Sequence, residues 1–194
     1  DACSDGQTIS ASSDEISLHA EQRQLIGLPS DSASITTALE DPLSQPVFGT
    51  IASPTETAAV LDNYTALEEA REAVDANQSS VNTSLVDAVV TSGALPKITA
   101  YTTGSAPSVE QSLETGLSSG AKAALAVEQT PRTGAEIDEA VANVESATPG
   151  LEARGVDVVD VDVDGPTGTV VVVADGGDQV QPEGVALSSA LDSI

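Results

Sequence analysis

The chain is nearly without lysine, aromatic side chains and cysteine. Its cations are two lysines, Lys97 and Lys122, and four arginines, against 31 Asp plus Glu, for a net charge of −25 over 194 residues. Six scattered cations cannot build a basic patch, which excludes a phosphate-backbone grip on nucleic acid. An anionic membrane surface would repel the chain. The aromatics are Phe48, Tyr64 and Tyr101, with no Trp, so no stacking platform for a sugar exists beside the many carboxylates. Cys3 is the sole cysteine, which excludes an intrachain disulfide and leaves a free thiol or a link to another chain. One cysteine and one histidine, His19, cannot make a His/Cys metal cluster. No apolar run approaches the ~18 residues of a membrane span. There is no G-x-S-x-G around a serine that could use His19, and no glycine loop with a phosphate-binding lysine. His19 therefore reads as an exposed surface residue, and the chain as non-enzymatic and without a cofactor.

What is present is acid and small aliphatic residues. Leu, Ile, Val and Phe make roughly a quarter of the chain, above the level at which disorder is expected. They are patterned, so the chain reads as folded. So much like charge opposes compaction in dilute buffer, and screening over a few ångströms, as at ~1 M salt, removes the penalty. The acidity runs along the whole chain rather than in a tail. In composition the chain resembles proteins of salt-loving archaea, including surface and structural proteins of those cells and their viruses; no specific family is implied. It begins Asp1-Ala2-Cys3 without Met, which reads as a processed, exported form. Three of its four asparagines, Asn63, Asn77 and Asn82, stand in N-x-S/T sequons, which points to glycosylation of an extracellular surface.

Periodicity predicts an α+β fold: amphipathic helices packed on a small, mainly antiparallel sheet, with a C-terminal β-hairpin. Residues 1–31 read as a polar amino-terminal arm or edge strand, with Ile16, Leu18 and Ala20 alternating against Ser17, His19 and Glu21. Residues 32–194 read as a single domain with a helical middle over 54–147. Residues 41–54 read as loop, with one short strand near 47–51. Ser53, Pro54 and Glu56 form a helix start, and Val60, Leu67 and Val74 carry its stripe to about residue 76. A weaker helix is expected over 80–91, with a strand as competitor, then a strand over 97–103. A helix over 107–128 is weakened or split by Gly116 and Gly120. Thr133 and Glu136 open another helix, closed by Pro149-Gly150.

The clearest strands come last. Val159, Val161 and Val163 alternate with Asp160, Asp162 and Asp164, turn at 165–168, and return through four consecutive valines, a hairpin over 156–174. The adjacent Val158-Val159 shifts the alternation by one residue, the mark of a bulge. Val170–Val173 read as buried on both faces, with a short helix over 183–193 as cover. From residue 134 or so onward, the order helix, Pro-Gly, hairpin, Gly-Gly, short helix resembles a module of virus tail baseplate proteins, without a diagnostic motif.

Asp160, Asp162, Asp164 and Gly165 match the first half of a calcium loop, D-x-D-x-D-G, but the twelfth position is Val171 where a bidentate Glu belongs. The same spacing is that of a hairpin with valines inward and carboxylates outward. At most a weakly held calcium or other cation is expected there. The function that remains is a structural subunit of an extracellular or virion surface structure, forming homo-oligomers or joining other coat subunits. A cell-surface binding module for a cation or solute, and a virus tail component, are the alternatives.

Overall fold

The computed structural model describes residues 13–78 and 84–176. Within them the fold is α+β, with the helices α1 Ser13–Ile26, α2 Ser32–Glu40, α3 Pro54–Asn77, α4 Ala106–Leu113, α5 Ser119–Ala124 and α6 Gly134–Glu152. The strands are β1 Gln45–Val47, β2 Thr50–Ala52, β3 Leu85–Thr91, β4 Lys97–Thr102, β5 Leu125–Gln129, β6 Val156–Asp164 and β7 Thr169–Gly176. They form three small sheets, β1-β2, β3-β4-β5 and β6-β7, where one sheet was expected. The described residues cluster into two compact units. One unit takes those up to Ala76 with Val89–Thr99 and Leu113–Ala126, and the other takes Asn77–Ala88, Ala100–Ser112 and those from Val127 onward.

The first unit corrects the reading of the amino-terminal segment. Residues 14–20 are not a strand but the first half of α1. The apolar alternation was real yet short, and the surrounding Gln, Glu, Arg and Leu favour helix. The inward stripe of α1 is Ile16, His19, Ala20, Arg23 and Ile26, all partly or fully buried, at three- and four-residue steps. Leu18 and Leu25 point to solvent. The loop over 41–54 holds a hairpin, β1 with β2, in which Val47 pairs with Thr50 around a turn at Phe48-Gly49. Phe48 adopts a left-handed φ of 49° there, and its ring lies 6.0 Å from that of Tyr64.

The expected start of α3 is present in full. Glu56 N–H donates to Ser53 Oγ at 3.3 Å, and the Ser53 N–H donates to the Glu56 carboxylate at 2.8 Å. Val60, Leu67, Ala70 and Val74 are its buried stripe. A small core forms where Leu28, Ala52, Val60 and Ala94 meet, with Ile26, Val47 and Tyr64 against it.

The middle of the chain is not helical throughout. The described part of the expected helix over 80–91 holds strand β3, because Val86, Val89 and Val90 bring the β-branched crowding that a helix resists; residues 80–83 lie outside the described residues. Ser84 O accepts from Thr103 N–H at one end of the β3–β4 pair, and Thr91 Oγ1 contacts the Lys97 main chain at the other, the antiparallel sense. The expected helix over 107–128 is α4, α5 and then β5. Gly116, at φ +87°, supplies the left-handed residue that ends the first piece, and Ser118 caps the second.

In the second unit, α6 opens on the expected Thr133–Glu136 capping box. It continues past Pro149 to Glu152, beyond the expected end at Ala147. The proline removes one backbone donor near the last turn, and Ala153 N–H still reaches Pro149 O at 3.1 Å. The hairpin β6–β7 is antiparallel and carries the expected bulge, with Val159 unpaired between the pairs Val158–Ala174 and Asp160–Val173. Its inner face packs on α6. Val170–Val173 are not buried on both faces as expected: Val171 and Val173 are 44% and 51% exposed. The short helix expected over 183–193 lies outside the described residues.

Three hydrogen-bonded carboxylates make part of the stability depend on pH. Glu69 is held below the ordinary carboxylate range by the Ser118 hydroxyl and then its N–H, Glu136 by the Thr133 N–H and hydroxyl, and Asp31 by the Ser34 hydroxyl and N–H. A depressed carboxylate stabilises the fold above the ordinary range, and that contribution is lost as pH falls through the lowered value. Protonating the remaining acids relieves repulsion at the same time, so the loss is read cleanly at ~1 M salt, where repulsion is screened. In an acid titration at that salt, Glu69→Gln is expected to lower stability near pH 7 and flatten its fall in the acid range. An unchanged slope would mean that the Ser118 contact contributes nothing.

Candidate functional site

The two units carry different polar constructions. In the first, Arg23 is fully buried. Its Nε donates to Pro29 O at 2.6 Å, one terminal nitrogen to Ile51 O at 2.7 Å, and the other to the Glu56 carboxylate. Glu56 is the same residue that closes the capping box of α3, so one guanidinium joins α1, the turn after it, β2 and the head of α3. All three nitrogens of the planar fork are used, a spread that the single nitrogen of a lysine could not match. His19, one turn earlier on α1, is not the exposed residue expected. It is half-buried, with Nδ1 3.1 Å from the hydroxyl of buried Thr50.

The second construction is the hairpin. Asp87 of β3 accepts from Gly165 N–H at 2.9 Å and so ties the turn down. Gly165 lies so close to the Tyr101 ring that a Cβ would meet Cδ2 at 2.4 Å. Gly168, at φ +67°, leaves no room for a side chain either, since a Cβ would stand 2.6 Å from Thr130 Oγ1. Loss of water first, then Glu128, Asp87 and Asp164, push the Tyr101 hydroxyl above its ordinary pKa. The turn is therefore rigidly seated, and β6 and β7 extend from it. On their outer face the cross-strand neighbours are Asp162 with Val171, Asp160 with Val173, and Asp157 with Asp175. The last is a like-charge pair directly opposed across the ladder, unfavourable unless salt screens it.

This arrangement answers the calcium reading. Asp160 and Asp162 stand outward along β6, and each accepts a hydrogen bond from the next residue's own N–H, at 2.9 and 2.8 Å. Asp164 turns its carboxylate to the Thr167 hydroxyl inside the turn. The three do not converge, and among the described residues no group of three His, Cys, Asp or Glu could hold a metal ion. A strand spaces alternate side chains along a line, whereas a calcium loop wraps them around a point.

The sequons separate as well. Asn63 is half-buried on α3 and its side-chain amide donates to Ala94 O at 2.7 Å. Asn77 is the last residue of α3. Asn82 and Cys3 lie outside the described residues. Among those described, no helix is long and apolar enough to cross a membrane.

Sequence reasoning missed Arg23 and the Asp87–Gly165 tie. The available signal for Arg23 was rarity: in a chain with six cations, one standing four residues before a glycine at a helix end is a placed residue. Nothing local marks Asp87 as the partner of a turn 78 positions away. The chain matches no family model, no curated protein and no solved structure.

Two outcomes follow from these contacts. Arg23→Met leaves Glu56 and two carbonyls without their buried donor and is expected to destabilise the first unit by about 3–5 kcal/mol; chemical denaturation at high salt measures it, and a loss under ~1 kcal/mol would show the guanidinium to be dispensable. In native material, glycopeptide mapping is expected to find glycan on Asn77 or Asn82 before Asn63, whose amide is already engaged. Glycan on Asn63 with the other two bare would reverse that order.

Proposed function

We propose that the chain is a non-enzymatic structural subunit of an extracellular or virion surface structure in a salt-rich setting, built from copies of itself or with other coat subunits. The observation that carries this reading is the outer face of β6–β7. It presents Val159, Val171 and Val173 at 65%, 44% and 51% exposure among carboxylates, on a two-stranded sheet with no further strand paired to it among the described residues. Aliphatic side chains set in an open, well-anchored β-surface suit contact with another protein. The opposed Asp157 and Asp175 support the salt-rich setting, because that pair is tolerable where the Debye length is a few ångströms. The sequons, and the helix-then-hairpin order of the C-terminal part, support a surface or coat location.

A second reading has its own observation. Asp160 and Asp162 form an outward row on β6 that suits loose cation association, as in a cell-surface binding module. Calcium titration of the purified protein followed by calorimetry separates this reading from the first, since a coat subunit needs no saturable site.

The test of the leading reading is electron microscopy and sedimentation of the full chain over a salt series. Filaments, sheets or shells are expected at ~1 M salt and above, with dissociation and loss of far-UV circular dichroism in dilute buffer, where the Debye length reaches ~30 Å at 0.01 M. A monomer at every salt concentration, or full stability in 10 mM buffer, would overturn it.

A further inference from the structure

We propose that the outer edge of β7 pairs with β7 of a second copy, antiparallel about a two-fold axis, to make a continuous four-stranded sheet. This names the contact surface for the subunit reading above and rests on that reading.

The two edges of the hairpin differ in charge. β6 carries Asp157, Asp160, Asp162 and Asp164 along its length, whereas β7 is Thr169-Val-Val-Val-Val-Ala-Asp-Gly, with Asp175 its one charged residue. Natural edge strands are guarded against pairing by charge, proline or bulges. β6 has two of those guards, carboxylates and the bulge at Val159, and β7 has neither over Thr169–Ala174. Four successive β-branched residues give it high strand propensity.

The occupant follows from self-complementarity. A two-fold axis normal to the sheet and centred on Val172 sets Val172 opposite itself, Val171 opposite the second copy's Val173, Val170 opposite Ala174 and Thr169 opposite Asp175. No carboxylate then faces a carboxylate across the new ladder. The same operation on β6, centred on Val161, would set Asp160 against Asp162 twice, an unfavourable arrangement of like charges. Only β7 is compatible with its own copy, and two-fold pairing of one patch with itself is the commonest way for identical chains to meet. Main-chain hydrogen bonds supply the affinity, and the alternation of faces disfavours a register slip by one, which would oppose inward and outward valines. At low salt the general repulsion between two chains of −25 opposes the contact. The pairing is therefore expected at high salt.

The experiment is sedimentation of the full chain at ~1 M salt and above, with Val173→Lys and Leu25→Lys. In V173K the new ammonium lies across the ladder from Asp160, which favours retention of the hairpin, but it places a charge on the edge face. It is expected to weaken self-association by on the order of tenfold or more. L25K adds the same charge at a solvent-exposed residue of α1, outside the hairpin surface, and is expected to associate like the parent. A Cys3→Ser, Val171→Cys, Val173→Cys variant gives a readout that does not depend on V173K folding. Directly opposed residues lie with Cβ atoms about 4.5–5.5 Å apart, so mild oxidation is expected to yield a disulfide-linked dimer that requires both new cysteines. If the parent self-associates while V173K matches it and the double cysteine does not crosslink, the β7 edge is not the contact, and the subunit reading stands with another surface. If β7 pairing is found but the product is a closed dimer that forms no larger assembly, alone or with the other proteins of its native source, the edge assignment stands and the subunit reading fails. A parent chain that remains monomeric at high salt would overturn the proposal, and protection from hydrogen exchange of the β7 amides that face away from β6 would show the edge to be covered within the chain.

Discussion

A single buried guanidinium holds the first unit together. Arg23 reaches a turn, a strand and the capping carboxylate of the longest helix from a position with no exposure. Arg71–Glu68 at 3.2 Å and Lys122–Glu114 at 3.9 Å, by contrast, lie at the surface. In molar salt the Debye length is about 3 Å, so exposed pairs of this kind contribute next to nothing. A charged contact that is to act in such a solvent must be dry, and Arg23, one of the chain's six cations, is fully buried. The interaction is costly to form, because both charges lose water. It is then insensitive to the medium, and it orders α1, which otherwise has Leu18 and Leu25 in solvent and little apolar area to hold it.

The rest of the structure follows the same economy of means. With few aromatics, the buried cores are Ala, Val, Leu and Ile, which release less area per residue than Phe or Trp. Polar closures do the joining between elements. Glu69 spans 49 positions to the cap of α5, Asp87 spans 78 to the hairpin turn, and Asn63 spans 31 to Ala94. Each accepts or donates a main-chain bond, so the abundant carboxylates are used partly as long-range pins and partly as a hydrated exterior.

Elements whose cause is local were legible in the sequence. Both capping boxes, the stripe of α3, the alternation of β4 and the bulged hairpin each depend on residues within a few positions of one another, and each stands where the pattern placed it. Elements whose cause is distant were not. The stripe of α1 includes His19 and Arg23, which no apolar periodicity can detect, because their burial is compensated by partners on β2 and α3. β3 was ambiguous because Val81, Leu85 and Val89 suit a helix while the density of valine suits a strand, and pairing with β4 decides. The outward carboxylates of β6 were legible as a pattern. That they cannot converge required the strand itself.

The bulge at Val159 has a further implication for how this strand could change. Before it, the inward residues of β6 are Val156 and Val158; after it, they are Val161 and Val163. The extra residue absorbs what would otherwise be a reversal of faces. Losing a single codon from inside a strand ordinarily turns every later side chain inside out. Here the loss of Val159 would leave an unbroken Val-Asp alternation, with all its valines still toward α6 and its carboxylates still outward. The hairpin thus carries one position that a deletion can remove without disturbing its register, and the strand can pass between bulged and regular forms through viable intermediates.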